Sequence, residues 1–353
     1  MELTDFLIEV IQRGGSDLHL TVGVPPTMRC DGDLIPLDYP KLTPKDTKEL
    51  IFSIMTEEQR EKLEDSWEYD FAYSLPGKAR FRVNAFFQRN SLSAAFRLIP
   101  VDIKSLVELN LPPLIAEFCR KPRGLVLITG PTGSGKSTTL ASMINIINEE
   151  RSEHIITIED PIEYLHRHKK SVVNQREVDS DTRSFGQALK YTLRQDPDVI
   201  LIGEMRDTET TAIALTAAET GHLVLASLHT QDSPQTIDRI VDVFPSHQQQ
   251  QIRVQLAGTL QGIICQQLLP SIGGQGRIAA AEVMVCTPAI RNMIREMKTH
   301  QIYNAIETGQ KHGMQTMDQA LADMVKRGLV SRATAMERAI DQGNLKRYLY
   351  EVA

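Results

Sequence analysis

The sequence predicts an α/β protein: a small α+β domain over residues 1–100, a linker at 101–113, an α/β core over 114–286, and a helical region over 287–353 continuous with that core. Three observations carry this. After residue 114, short and almost wholly apolar strands alternate with helical segments, which implies a sheet buried on both faces, hence parallel and helix-covered. Residues 130–137 read Gly-Pro-Thr-Gly-Ser-Gly-Lys-Ser, a complete GxxxxGK(S/T) loop between an apolar run and a helix-like stretch. Beyond about residue 287 the pattern is nearly all helical, with breaks at Gly309, Gly313 and Gly328.

In chain order, residues 17–22 (Asp-Leu-His-Leu-Thr-Val) alternate at the strand period. Thr43 is placed to cap a helix whose first residue is Pro44. Residues 79–98 read as two strands around a turn near Arg89, Asn90 and Ser91. Pro100, Pro112, Pro113 and Pro122 punctuate the stretch that holds the linker. Core strands are expected at 125–129, 155–158, 199–202 and 223–227, and a helix at 137–148. The last helices are expected at 288–298, 300–308, 316–327 and 332–340.

Composition narrows the function classes. Apolar residues are 41% of the 353, enough for a real core, and the net charge is −6. A mildly acidic chain lacks the general electrostatic footprint of a nucleic-acid partner, so none is expected and a nucleic-acid motor is disfavoured. Cys30, Cys119, Cys265 and Cys286 show no CxxC pairing, so no zinc site is expected; they read as buried thiols in a reducing compartment. No basic segment followed by a long apolar run opens the chain, and no run approaches about 18 apolar residues. The expectation is a cytoplasmic protein that meets a membrane only through a partner.

The chemistry starts at the phosphate loop. Gly130, Gly133 and Gly135 let the backbone wrap an anion with its N–H groups inward, and the following helix adds its positive end. The nucleotide set is Gly130, Pro131, Thr132, Gly133, Ser134, Gly135, Lys136, Ser137 and Thr138. Lys136 reaches the β- and γ-phosphates of a nucleoside triphosphate, and the Ser137 hydroxyl holds Mg²⁺. Active sites of open parallel sheets form at the carboxyl ends of strands. Two acidic clusters fall there: Glu159, Asp160 and Glu163 after the second core strand, and Glu204 after the third. Gly203 stands where a second strand-end acid is usual, so Glu204 is assigned to the Mg²⁺ and water shell. Glu163 is assigned as the water-activating base, supported by Glu159 and Asp160. His229 ends the fourth strand and faces the γ-phosphate region; His222 opens the same strand at the far end, which by geometry is a structural position.

These blocks together resemble the secretion ATPases of type II secretion and type IV pili. The phosphate loop, the acidic box 157–164, the second acidic motif 198–207 and a histidine box 221–238 match in order and spacing, and the resemblance continues through 257–262 and 266–270. Within the family the chain is similar to the pilus-retraction branch. Assembly and secretion members usually carry a four-cysteine zinc insert near 271–277; here the segment reads Ser-Ile-Gly-Gly-Gln-Gly-Arg. Retraction members carry Ala-Ile-Arg-Asn-Leu-Ile-Arg-Glu; here Ala289, Ile290, Arg291, Asn292, Met293, Ile294, Arg295 and Glu296 follow that pattern with Met293 for Leu, a volume-conserving exchange.

The resemblance implies a RecA-like ATPase core and a PAS-like N-terminal domain. It implies a cytoplasmic homohexamer in which each N-terminal domain packs on the next subunit's core, with ATP and Mg²⁺ between them. The implied task is type IV pilus retraction for twitching motility, through an inner-membrane platform protein, with 289–296 coupling hydrolysis to movement. Arg82 and Arg97 match arginines that family members point at the nucleotide, and His222 gains a supporting role. Arg194, Arg206 and Arg239 are further candidates. The rival within the family is an assembly or secretion ATPase.

Overall fold

The computed structural model of the chain describes residues 2–30, 32–75, 78–99, 102–272 and 276–350. Residue 100, the last of the expected N-terminal domain, residue 101, the first of the expected linker, and 273–275, inside the segment set against the zinc insert, lie outside the described residues. The chain divides into two compact units, Met1–Asp102 and Ile103–Ala353.

The first unit runs α1 (Leu3–Gln12), β1 (Asp17–Leu20), β2 (Thr27–Cys30), β3 (Asp33–Pro36), α2 (Pro44–Phe52), α3 (Glu57–Ser66), β4 (Glu68–Leu75), β5 (Ala79–Gln88) and β6 (Ser91–Ile99). Among the described residues its strands form a six-stranded antiparallel sheet, ordered β3-β2-β1-β6-β5-β4. Thr43 caps α2 in a reciprocal pair with Asp46, and Pro44 is its first residue. Arg89 and Asn90 both take positive φ, 49° and 59°, in the tight turn between β5 and β6. Along β5, Ala79, Phe81, Val83 and Ala85 are buried while Arg82 is exposed, as the strand period requires. Phe6, Phe81 and Phe96 are wholly buried, each worth roughly 1.5–3 kcal/mol of apolar transfer.

The second unit holds α4 (Leu114–Cys119), β7 (Gly124–Thr129), α5 (Lys136–Glu150), β8 (His154–Glu159), β9 (Val172–Glu177), α6 (Phe185–Thr192), β10 (Val199–Ile202), α7 (Thr208–Glu219), β11 (Leu223–Leu228), α8 (Ser233–Asp242), α9 (Ser246–Thr259), β12 (Leu260–Pro270) and β13 (Arg277–Val285). Among the described residues five α-helices follow: α10 (Pro288–Arg295), α11 (Ile302–Glu307), α12 (Met317–Lys326), α13 (Arg332–Arg338) and α14 (Gln342–Tyr350). Among the described residues the sheet is seven-stranded, ordered β13-β12-β7-β11-β10-β8-β9, parallel throughout except for the β12–β13 pair. The expected strands are its centre, β7, β11, β10 and β8. The additional strands β9, β12 and β13 lie toward its edges, where half-polar sequence such as Val-Val-Asn-Gln-Arg-Glu blurs the apolar signal.

Residues 103–113 were expected as linker but pack into the second unit. Leu106 and Leu111, each 5% exposed, join the apolar layer of Val126, Ile128 and Leu140, and Ser142 Oγ donates to the Lys104 carbonyl at 2.6 Å. The prolines mark irregular backbone, while the leucines between them have apolar area to bury. The C-terminal helices share the core as well: Ile290, Ile294, Ile302 and Ile306 pack with Leu256 and Met284, and Met317 and Leu321 with Leu269 and Ala280. Among the described residues no helix is long and apolar enough to cross a membrane.

Candidate active site

β7 delivers the chain directly into the phosphate loop, and α5 leaves it at Lys136. Gly130 has φ 141°, and a Cβ there would lie 2.3 Å from the Gln266 carbonyl oxygen and 2.7 Å from Ser134 Oγ. The loop is therefore seated against β12. Gln266, 3% exposed, receives the Thr139 hydroxyl at its Oε1, 2.8 Å, and donates its Nε2 to the Ser134 carbonyl, also 2.8 Å. Ser134 Oγ is buried with no hydrogen-bond partner. An unsatisfied buried hydroxyl inside a loop of inward backbone amides suits an anion.

Lys136 Nζ donates to the Gly130 and Pro131 carbonyls at 2.8 and 3.1 Å and lies 3.5 Å from His229 Nδ1. Burial lowers its pKa, opposed by the charges of Glu204 and Glu163. On the other side of the ring, His229 Nε2 lies 3.0 Å from Glu204 Oε1. An ammonium only donates and a carboxylate only accepts, so both contacts are met by the tautomer carrying its proton on Nε2. His229 thus bridges the phosphate-loop lysine and the strand-end acid.

Glu204 is held by its flanks. Gly203 N–H donates to the Ile158 carbonyl at 2.7 Å, and Ser227 Oγ donates to the Gly203 carbonyl at 2.5 Å. A Cβ at Gly203 would come within 3.2 Å of Glu159 Cα. A side chain there would need the Glu159 backbone to give by a few tenths of an ångström. Glu204 Oε2 takes Arg206 Nη2 at 2.7 Å. Burial pushes the Glu204 carboxyl up, but Arg206 and His229 outweigh it and leave it below the usual range.

The acidic box closes over the same sheet edge. Tyr164 OH lies 2.8 Å from Thr138 Oγ1, which fixes the box beside the start of α5. Glu163 is exposed. Glu159 takes hydrogen bonds from Thr157 Oγ1 at 2.6 Å and Gln175 Nε2 at 3.1 Å, yet burial still pushes it up to about 6. Asp160 precedes a cis peptide bond to Pro161.

The remaining sequence candidates have the following partners. The His222 Nδ1 atom lies 2.9 Å from the Ala217 carbonyl oxygen, and the residue stands before β11, roughly 20 Å of strand from His229. In the first unit Arg97 Nε pairs with Asp17 Oδ1 at 2.9 Å and Arg82 Nε lies 3.9 Å from Asp70 Oδ1. On α10, Ile290 and Ile294 are buried, Arg291 donates to the Ala257 and Gly258 carbonyls, and Ala289, Asn292, Arg295 and Glu296 face outward. Sequence reading assigned no role to Gln266, Tyr164 or Gln175 and left Arg206 unranked. Gln266 carried a weak signal, as one of two adjacent amides, Gln266 and Gln267, between the apolar residues 263–265 and 268–269. Among the described residues no group of three or more His, Cys, Asp or Glu side chains is arranged to hold a metal ion.

The family model described as Type II/IV secretion system protein matches residues 6–342. The chain belongs to this secretion ATPase family. It is similar to the type IV pilus retraction ATPase PilT of Pseudomonas aeruginosa, 51% identical over 339 residues, 96% of this chain and 98% of that one. It is also similar to the twitching motility protein of Neisseria gonorrhoeae, 49% identical over 314 residues, 89% of this chain and 84% of that one. The crystal structure of the pilus retraction motor PilT with bound ADP superposes with a TM-score of 0.92 at 51% identity, covering 98% of this chain and 99% of that one. This secretion ATPase therefore has the α/β fold of its relatives, binds nucleotide, and is an ATPase.

Proposed function

We propose that this secretion ATPase is a Mg²⁺-dependent, homohexameric motor that retracts type IV pili for twitching motility. It works from the cytoplasm on an inner-membrane platform protein. The observation that carries the catalytic part is the chain of contacts from Lys136 through His229 to Glu204 at the carboxyl edge of the sheet.

In this reading the loop amides and Lys136 hold the β- and γ-phosphates of ATP. Ser137 and Glu204 are hard oxygen donors suited to Mg²⁺, which is commonly held by one or two carboxylates together with substrate phosphates. Bound there, the ion would offset phosphate charge. Glu163, exposed at the loop's edge, orients and deprotonates the attacking water. Glu159 and Asp160 shape the box around it. His229 reports the γ-phosphate to Glu204, and Arg206 holds that carboxylate in its ionised form.

The domains divide the work. The N-terminal PAS-like domain, residues 1–100, brings Arg82 and Arg97 to the ATP of a neighbouring subunit. The core, 114–286, carries the chemistry. The helical region, 287–353, carries the 289–296 segment whose outward residues couple hydrolysis to movement.

Deletion of this chain in its source cell, scored by pilus number and surface motility, tests the reading. Hyperpiliated, non-motile cells are expected. Bald cells would mark an assembly motor instead.

A further inference from the structure

Glu282 on β13 is an acid with 0% exposure, and among the described residues no cation pairs with it. Its Oε1 accepts two hydrogen bonds from Ser233, one from the backbone N–H at 2.8 Å and one from the hydroxyl at 2.7 Å. Its Oε2 is buried without a hydrogen-bond partner. An unpaired buried carboxyl costs stability that an apolar side chain of the same shape would not. Packing alone does not account for it.

Helix formation does not account for it either. Asp232 already caps α8, accepting from Gln235 N–H at 2.8 Å. The Glu282 contact is therefore additional, and it grips the first residue of α8, directly after the 229–232 loop. Ser233 is itself 0% exposed, and its hydroxyl lies 3.7 Å from Cys265 Sγ.

The register extends this grip across the sheet. Glu282 stands opposite Cys265, Cys265 opposite Thr129, and Thr129 opposite Leu228. Thr129 is the residue before the phosphate loop, and Leu228 is the residue before His229. One rung across β13, β12, β7 and β11 thus runs from the buried acid to the roots of both. Burial raises the pKa of Glu282 and of Cys265.

We propose that Glu282 is a positioning residue for ATP hydrolysis: through Ser233 it fixes the 229–232 loop so that the His229 imidazole stays between Lys136 and Glu204. The proposal rests on the reading of His229 as a residue that faces the phosphates.

Steady-state ATP hydrolysis by the full-length protein tests it, with Glu282→Met, Glu282→Gln, Ser233→Ala and His229→Ala, alone and combined. Methionine keeps length and removes the acceptor; glutamine keeps an acceptor for Ser233. Glu282→Met should lower kcat at least about fivefold with KM for ATP within about twofold, and Glu282→Gln should recover at least about half of the wild-type kcat. In the His229→Ala background, Glu282→Met should cost less than about twofold more, because both changes remove one function. Ser233→Ala, which removes only a hydroxyl, should show a smaller kcat loss that also vanishes in that background; this keeps the test open if Glu282→Met does not fold.

Wild-type kcat in Glu282→Met or, should that variant not fold, in Ser233→Ala overturns the proposal. So does a loss that adds in full to that of His229→Ala, which would mark a merely structural role. A His229→Ala protein that turns over normally removes the His229 reading and the proposal with it. Impaired His229→Ala beside fully active Glu282→Met removes the clamp alone.

Discussion

Arg82 and Arg97 stand directly opposite each other across β5 and β6, on the exposed face of the first unit's sheet. Like charges so opposed are destabilising, and each guanidinium leans on its own acid, Asp70 and Asp17. Their side chains are still 50% and 75% exposed. Two tethered but open cations suit a neighbour's phosphates, where a cation supplied in trans can contribute roughly 10³–10⁵ in rate. Mixing inactive Arg82→Ala/Arg97→Ala protein with inactive Glu204→Gln protein should restore partial hydrolysis. Failure to recover, with mixed rings confirmed by native mass measurement, would count against action in trans.

Lys136→Ala should abolish hydrolysis and sharply weaken ATP binding. Its ammonium is held at the mouth of the loop by the Gly130 and Pro131 carbonyls, and alanine removes that charge. Turnover above about a tenth of wild type would remove the loop from the mechanism.

Glu163→Gln and Glu204→Gln should each fold and bind nucleotide while losing about 10²–10⁴ in rate. The two differ in a second readout. Glu204 holds Arg206 and His229, so its loss should also change the dependence on Mg²⁺ concentration. Normal turnover in Glu163→Gln beside a dead Glu204→Gln would make Glu204 the base.

Glu159 gives stability a pH signature. Burial raises its carboxyl from an ordinary 4.5 to about 6, so the native state binds that proton more tightly than the unfolded chain. Its contribution is fully present below pH 4.5 and is lost as pH rises to about 6, a change of about 2 kcal/mol. Thermal midpoints of Glu159→Gln should therefore gain on wild type across that window. Parallel profiles would show that Glu159 titrates normally.

Substitution of the outward residues Asn292 and Arg295 of α10 and of Glu296 directly after it should leave most ATPase activity and stop pilus retraction in cells. Ile290 and Ile294 anchor the helix and stay untouched. Equal loss of both activities in an intact ring would make the segment catalytic.

The sequence by itself determined the elements whose signals are local. The phosphate loop, the central strands, the Thr43 cap and the Arg89–Asn90 turn each lie within a few residues of their own cause: a glycine pattern, an apolar run, a side chain reaching its own helix. The positions of Glu204 and His229, just past the ends of β10 and β11, were legible for the same reason, because the carboxyl end of a strand can be read from the strand.

The tertiary structure decided what depends on partners distant in the chain. The seat of the phosphate loop is Gln266, 132 positions from Ser134, and the grip on α8 is Glu282, 49 positions from Ser233. It decided that residues 103–113 pack into the second unit, and that β9, β12 and β13 join the sheet. A hydrophobic period reports that a residue is buried but not against what. Strand order and register bring those distant groups within hydrogen-bonding reach, and they exist only once the sheet has formed.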